Sequence, residues 1–163
     1  MRQVPLTQGY VALVDDEDCE RVSKYKWSVN IKRGKKYAQA HVEGETIELH
    51  RLIMRLTRGD GKEVDHINVD GGLDCRKINL RLATRSQNAA NRPKNRGTYS
   101  SIYKGVYEKT RTRWIAHIKV MGKTIWLGSY KTEEEAARAY DRAAIKYFGE
   151  FAYTNFPKED YVS

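Results

Sequence analysis

The chain has 163 residues, 40% of them hydrophobic, a mean hydropathy of −0.75 and a formal charge of +9. That length suits one compact domain or two small ones. No apolar run approaches the roughly 18 residues of a membrane span, and the first twenty residues lack the apolar stretch of a leader peptide, so a soluble chain of the cytoplasm is expected. Cys19 and Cys75 form no CxxC pair. A four-ligand zinc site is therefore not expected, and both are read as reduced thiols without a special role.

From the amino end, YVALV (10–14) reads as a strand. DDEDCERVSKYKW follows as a short helix with acids at its start, where the helix dipole favours them. YAQAHV (37–42) and TIELHRLIM (46–54) flank Glu43-Gly44-Glu45, a hairpin turn. RGDGKE (58–63) is turn-forming. VDHI then ends a strand, Gly71-Gly72 offers a flexible loop, and INLRLAT (78–84) forms a second short element. Thr84-Arg85-Ser86-Gln87 fits a capping box that opens a helix, and Pro93 stops it after Arg92. RPKNRGTYS (92–100) reads as a basic linker.

Beyond residue 100 the pattern changes. IYKGVYE (102–108), RWIAHIKV (113–120) and KTIWLGSY (123–130) are three successive strands. By the period of two, Trp114, Ala116, Ile118 and Val120 share a core face, and Arg113, His117 and Lys119 share the other. In the third strand Ile125 and Leu127 face the core, Thr124 and Trp126 the opposite side. Thr132 and Glu135 form a second capping box. Ala136, Ala139, Tyr140, Ala143, Ala144 and Tyr147 make a helical stripe that Gly149 ends. The fold class is α+β.

Eleven of the thirty Lys and Arg residues, but only one of the 21 Asp and Glu, lie between residues 81 and 130. A surplus gathered in under a third of the chain is the footprint of a surface for a polyanion, nucleic acid first. Hydrolysis of a phosphodiester needs an activated water and a cation for the charge on the leaving oxygen. His66 has the pKa of a base near neutrality. Asp65 precedes it in a strand, so the two project to opposite sides. The Asp65 carboxylate and the amide carbonyl of Asn88, in the second turn of the helix, are oxygen donors of the kind Mg²⁺ accepts. Asn79, on the return strand, is placed to supply the acceptor that fixes the tautomer of a neutral His66. His50 is expected to pack or hydrogen-bond, and Asn91 to contact DNA or cap the helix.

VDHINVDGG, INLRLAT and SQN, with LHRLI (49–53) upstream, resemble the motif of HNH nucleases of the homing-endonuclease type over about residues 47–92. The resemblance implies a ββα-metal unit, Asp65 and Asn88 as metal ligands, His66 as general base, and Asn79 as the residue orienting the hairpin and His66. Asn88 stands at the third motif position instead of His, which suits the subclass with Asp and Asn ligands. Residues 101–157, with WLGSY, EEAARAYDRAA and the closing NFP, resemble the Apetala/ethylene-response-factor DNA-binding domain, whose three-stranded sheet lies in the major groove. That implies DNA contacts from Lys104, Tyr107, His117, Lys119, Thr124 and Trp126, with Arg113 on the same face and Trp114 in the core. Lys104, Tyr107, Lys119 and Thr124 stand where that family has Arg, so more phosphate contact and less base readout are expected.

The expected organisation is a nuclease domain over 1–92, a basic linker over 93–100, a DNA-binding domain over 101–157 with a three-stranded antiparallel sheet on one helix, and a tail over 158–163. The expected function is a one-ion DNA endonuclease that nicks double-stranded DNA with Mg²⁺, or Mn²⁺ in its place. Arg92, Lys94 and Arg96 add phosphate contacts. The chain is expected as a monomer, a dimer being left open, and as the product of a phage or mobile element. The alternative is a non-enzymatic DNA-binding regulator with a decayed nuclease segment.

Overall fold

The computed structural model describes residues 1–32, 34–57, 59–95 and 97–161. Arg96, expected at phosphate, lies outside these residues. The chain divides into two units, Met1–Asn88 and Ala89–Ser163. Both combine antiparallel strands with helices, and the α+β class holds.

In the first unit β1 (Arg2–Pro5) pairs with β2 (Val11–Val14). A 3₁₀ turn at Asp16–Asp18 leads into α1 (Cys19–Val22). Then β3 (Ser28–Lys32), β4 (Lys35–Val42) and β5 (Glu45–Glu48) form an antiparallel sheet in chain order. Glu43 and Gly44 both take positive φ, 51° and 83°, as the tight hairpin turn between β4 and β5 requires. The segment expected as one strand over 46–54 stops at Glu48 and continues as α2 (Leu49–Ile53). Leu49 and Ile53, one helical turn apart, are both fully buried on the inner side of α2.

The last part of this unit is a two-stranded antiparallel ribbon of β6 (Glu63–His66) and β7 (Leu80–Ala83), followed at once by α3 (Arg85–Ala90). The expected capping box is formed: Thr84 N–H donates to Gln87 Oε1 at 2.8 Å, and Gln87 N–H to Thr84 Oγ1 at 3.3 Å. Alternation in β4 buries Ala38 and Ala40 against Val14, Val22, Leu49 and Val64. The loop between β6 and β7 presses on this sheet. A Cβ at Gly72 would come within 2.3 Å of the Lys36 carbonyl oxygen, so only glycine fits there.

The second unit is a three-stranded antiparallel sheet in the order β10–β9–β8, with α4 (Glu133–Phe148) across it. β9 (Arg113–Val120) and β10 (Lys123–Tyr130) have the expected bounds. β8 (Val106–Thr110) begins four residues later than expected. Gly105 reverses the chain with φ of +76°, and a Cβ there would sit 1.9 Å from the Tyr140 ring. Ala136, Ala137 and Ala144 are fully buried and let α4 lie close on the sheet, while Tyr147, assigned to the same stripe, is exposed.

One buried carboxylate closes this unit. Asp141, with no exposed surface, accepts from the Asn155 backbone N–H (2.8 Å) and Nδ2 (3.0 Å), the Phe156 N–H (2.9 Å) and the Tyr161 hydroxyl (2.9 Å). Asn155 in turn accepts from the Lys104 N–H at 2.6 Å and donates to its carbonyl at 3.1 Å. The terminal NFP segment is thereby tied to α4 and to the loop before β8.

Candidate functional site

The β6–β7 register sets the site. Glu63 faces Ala83, Asp65 faces Arg81 and His66 faces Leu80. Residues two apart on a strand share a side, so Glu63 and Asp65 point one way and His66 the other. Asp65 is 4% exposed, and Arg81 reaches across the ribbon to it, with Nε 2.9 Å and an Nη 2.8 Å from Oδ2. Asn88, from α3, donates through Nδ2 to Glu63 Oε2. That bond turns the carbonyl Oδ1 of Asn88 away from Glu63. Glu63 and Arg81 went unread in the sequence: periodicity gives a strand's faces but not its partner's register.

His66 is 8% exposed. Its ring meets that of His50 edge-on at 5.1 Å and lies 6.1 Å from Tyr37, and its Nε2 is 4.0 Å from Cys75 Sγ. Burial, and next the charge on His50, lower the His66 pKa to about 4. Burial pushes the Cys75 thiol up to about 12, so at neutral pH it is a protonated wall of this pocket with only a weak S–H to offer. His50 behaves as expected: it is buried, and its Nε2 lies 3.4 Å from Glu48 Oε2.

Because the folded imidazole resists protonation, pH carries a stability signal of definite sign. Unfolded His66 takes a proton near pH 6.5 and folded His66 only near 4. Its contribution is complete above about pH 6.5 and is lost as pH falls toward 4, by up to roughly 3 kcal/mol. Urea melts at pH 7 and pH 4.5 should show that loss for the wild type and a much smaller one for His66→Gln.

Asn79 is expected to orient the hairpin and His66. Among the described residues its side-chain hydrogen bonds end on the 67–74 loop and not on the His66 ring. Its Oδ1 accepts from the Asn68 N–H at 2.9 Å, its Nδ2 donates to the carbonyls of Asp74 (2.8 Å) and Gly71 (3.4 Å), and its carbonyl accepts from the Ile67 N–H at 2.9 Å. It is a positioning residue that staples the loop following His66.

The donor chemistry fits a hard divalent cation. Among the described residues no group of three or more His, Cys, Asp or Glu side chains is arranged to hold an ion. A carboxylate plus an amide carbonyl is a sparser set, and it is the kind Mg²⁺ uses when water and phosphate complete its octahedron. Asn88 Oδ1 accepts no hydrogen bond among the described residues.

In the second unit the side chains expected to face DNA divide into two groups. His117 pairs with Trp126 and Lys119 with Thr124 across β9 and β10. Arg113, Lys119 and Thr124 are exposed, Trp126 is 67% exposed, and Tyr107 stands edge-on to His117 at 5.5 Å. These form one face. Trp114 packs on the core, as expected.

Lys104 and Lys94 do not join that face. Lys104 Nζ donates to the carbonyls of Ala90 (2.7 Å) and Arg92 (2.6 Å), and burial lowers its pKa to about 8. Because β8 starts only at Val106, the two-residue alternation never reaches Lys104. Lys94 Nζ is likewise held by the carbonyls of Ser101 (2.6 Å) and Tyr103 (2.9 Å). Both ammonium groups tie loops together within the unit. Arg92 is exposed.

One unit holds a polar ribbon-and-helix site, the other an exposed basic and aromatic sheet face. Each unit matches a known family. The HNH endonuclease family model matches residues 48–90, and the AP2 domain model matches residues 101–150. An uncharacterised HNH endonuclease of Acanthamoeba polyphaga mimivirus is 35% identical over 153 residues, covering 91% of this chain and 76% of the viral protein. An AP2/ERF and B3 domain-containing protein of Oryza sativa subsp. japonica is 52% identical over 58 residues, 36% of this chain and 16% of that protein. An AP2-like ethylene-responsive transcription factor of Arabidopsis thaliana is 45% identical over 84 residues, 43% of this chain and 19% of that protein. The chain spans less than a fifth of the length of these plant relatives. It belongs to the HNH endonuclease family and carries an AP2 domain. No helix among the described residues is long and apolar enough to cross a membrane.

Proposed function

We propose that this chain is a DNA endonuclease that nicks double-stranded DNA with one divalent ion, Mg²⁺ first and Mn²⁺ in its place. The observation that carries the reading is the Asn88–Glu63 bond, which brings an amide from α3 to the side of the β6–β7 ribbon that holds Asp65. In this reading residues 1–92 form the nuclease domain, with a ββα-metal unit at its centre. Residues 93–100 link it to the DNA-binding domain over 101–157. Asp65 and Asn88 hold the ion, which supplies positive charge to the leaving oxygen. His66, neutral at physiological pH, accepts a proton from water as that water attacks phosphorus in line. The P–O3′ bond breaks and the departing 3′ oxygen takes a proton from solvent, leaving a 5′-phosphate and a 3′-hydroxyl. Phosphate charge brought beside the ring raises its basicity from the low value of the free protein. Asn79 keeps the loop after His66 in place, and Arg81 holds Asp65.

Arg92, Arg113, Tyr107, His117, Lys119, Thr124 and Trp126 hold the duplex, chiefly through phosphates and counterion release. The test is conversion of supercoiled plasmid to open circle with Mg²⁺ or Mn²⁺. Cutting by the wild type supports the reading. Binding without metal-dependent cutting favours a regulator with a spent nuclease segment. A narrower expectation concerns Glu63. If it sets the orientation of Asn88, Glu63→Ala should weaken Mn²⁺ binding about 10- to 100-fold by calorimetry. Glu63→Gln, which keeps an acceptor, should weaken it far less.

A further inference from the structure

We propose that the β3–β4 hairpin is a second DNA-phosphate contact, built into the nuclease unit and flanking the site of cleavage. The proposal rests on the nuclease reading for its location, not for its chemistry. Residues 32–36 read KRGKK, four cations in five positions. Lys32 lies directly opposite Lys35 in the register, and Ile31, 50% exposed, opposite Lys36. Like charges facing each other across a strand pair destabilise it.

The fold relieves that repulsion only in part: Glu48 feels the charge of Lys32, and Asp70 lines the same cleft as Lys35 and Lys36. Among the described residues Lys32, Lys35 and Lys36 form no ion pair with a carboxylate. Asp74, which lines the same cleft as Lys35 and Lys36, is taken by Arg76 at 2.6 Å. Lys36 instead lies over the Tyr10 ring, 4.6 Å from its centroid, which holds the ammonium at the surface. An arrangement kept at an electrostatic cost suits a partner that arrives with negative charge.

The hairpin is also in the right place. Its Lys36 carbonyl abuts Gly72 in the loop after His66, and the next residue, Tyr37, sets its ring 6.1 Å from that of His66. A backbone that brings one phosphate to His66 carries its neighbours past Lys35 and Lys36. A sugar-phosphate chain, with a charge at every nucleotide, matches several lysines spread around a hairpin better than a single small anion does.

The test compares the full-length wild type with the triple variant Lys32→Gln, Lys35→Gln, Lys36→Gln. Binding to a fluorescent random duplex is followed by anisotropy from low to moderate salt, in EDTA. The slope of log affinity against log salt should become shallower by about 2 to 3, close to 0.9 for each phosphate that is no longer neutralised. The triple Lys→Arg variant should restore it, which separates removal of charge from misfolding. A slope unchanged in the Gln variant overturns the proposal. So does a slope that Arg fails to restore while the thermal melt stays that of the wild type. Because the assay contains no metal, it is independent of cutting. A wild type that never nicks but gives the expected slopes sinks the nuclease reading alone.

Discussion

His66→Ala should lower the rate of plasmid nicking by about 10²- to 10⁴-fold, the usual contribution of a positioned general base, while duplex affinity measured without metal stays within about twofold. The separation follows from where the ring lies. His66 is 8% exposed, on the side of the ribbon away from Arg81 and among Tyr37, His50 and Cys75. It is too enclosed to hold much duplex. His66→Gln is the companion variant, because it fills the pocket without a titratable nitrogen. Both variants should be equally slow. If Gln keeps wild-type speed, the ring has only been filling space.

Asp141→Ala should unfold the second unit near ambient temperature and abolish duplex binding. The carboxylate has no exposed surface and satisfies four donors from Asn155, Phe156 and Tyr161. Truncation leaves those donors buried without an acceptor, at about 1 to 3 kcal/mol each when unrelieved. A net loss of about 3 to 5 kcal/mol is expected for breaking such a buried network. Small domains hold only about 5 to 15 kcal/mol in all. Hydrogen exchange read by mass spectrometry should show reduced protection across β8, β9, β10 and α4, with β3, β4 and β5 still protected. Asp141→Asn, which keeps one acceptor, should lose less.

The legible parts of the chain are those where one physical rule acts locally. Strand-forming runs bounded by turn residues fixed β9 and β10 to the residue, although a bulge between Trp126 and Gly128 interrupts the alternation, and side chains three apart announced both capping boxes, at Thr84 and Thr132. β1 went unread because RQVP is only four residues and has no alternating pair, and β3 went unread although SVNIK alternates, its two apolar positions, Val29 and Ile31, being too few to stand out. Of the candidate site, Asp65, His66, Asn79 and Asn88 could be named, and so could their strands and helix. What sequence could not supply was pairing. Arg81 on Asp65 follows from the ribbon register, and Glu63 on Asn88 joins residues 25 apart. The carbonyl contacts of Lys104 and Lys94 were hidden for a related reason: a lysine usually keeps its ammonium in water, but here backbone carbonyls hold it. Asp141 was hidden in a helix whose other charges face solvent.

The most direct test of the account is a crystal of the protein on duplex DNA grown with Mn²⁺, with the ion located by its anomalous scattering. The account predicts one strong peak about 2.0 to 2.3 Å from both an Asp65 carboxylate oxygen and Asn88 Oδ1, with Arg81 displaced from at least one Asp65 oxygen. A peak bound elsewhere, or Asp65 still locked to Arg81 with phosphate but no ion beside it, would contradict it.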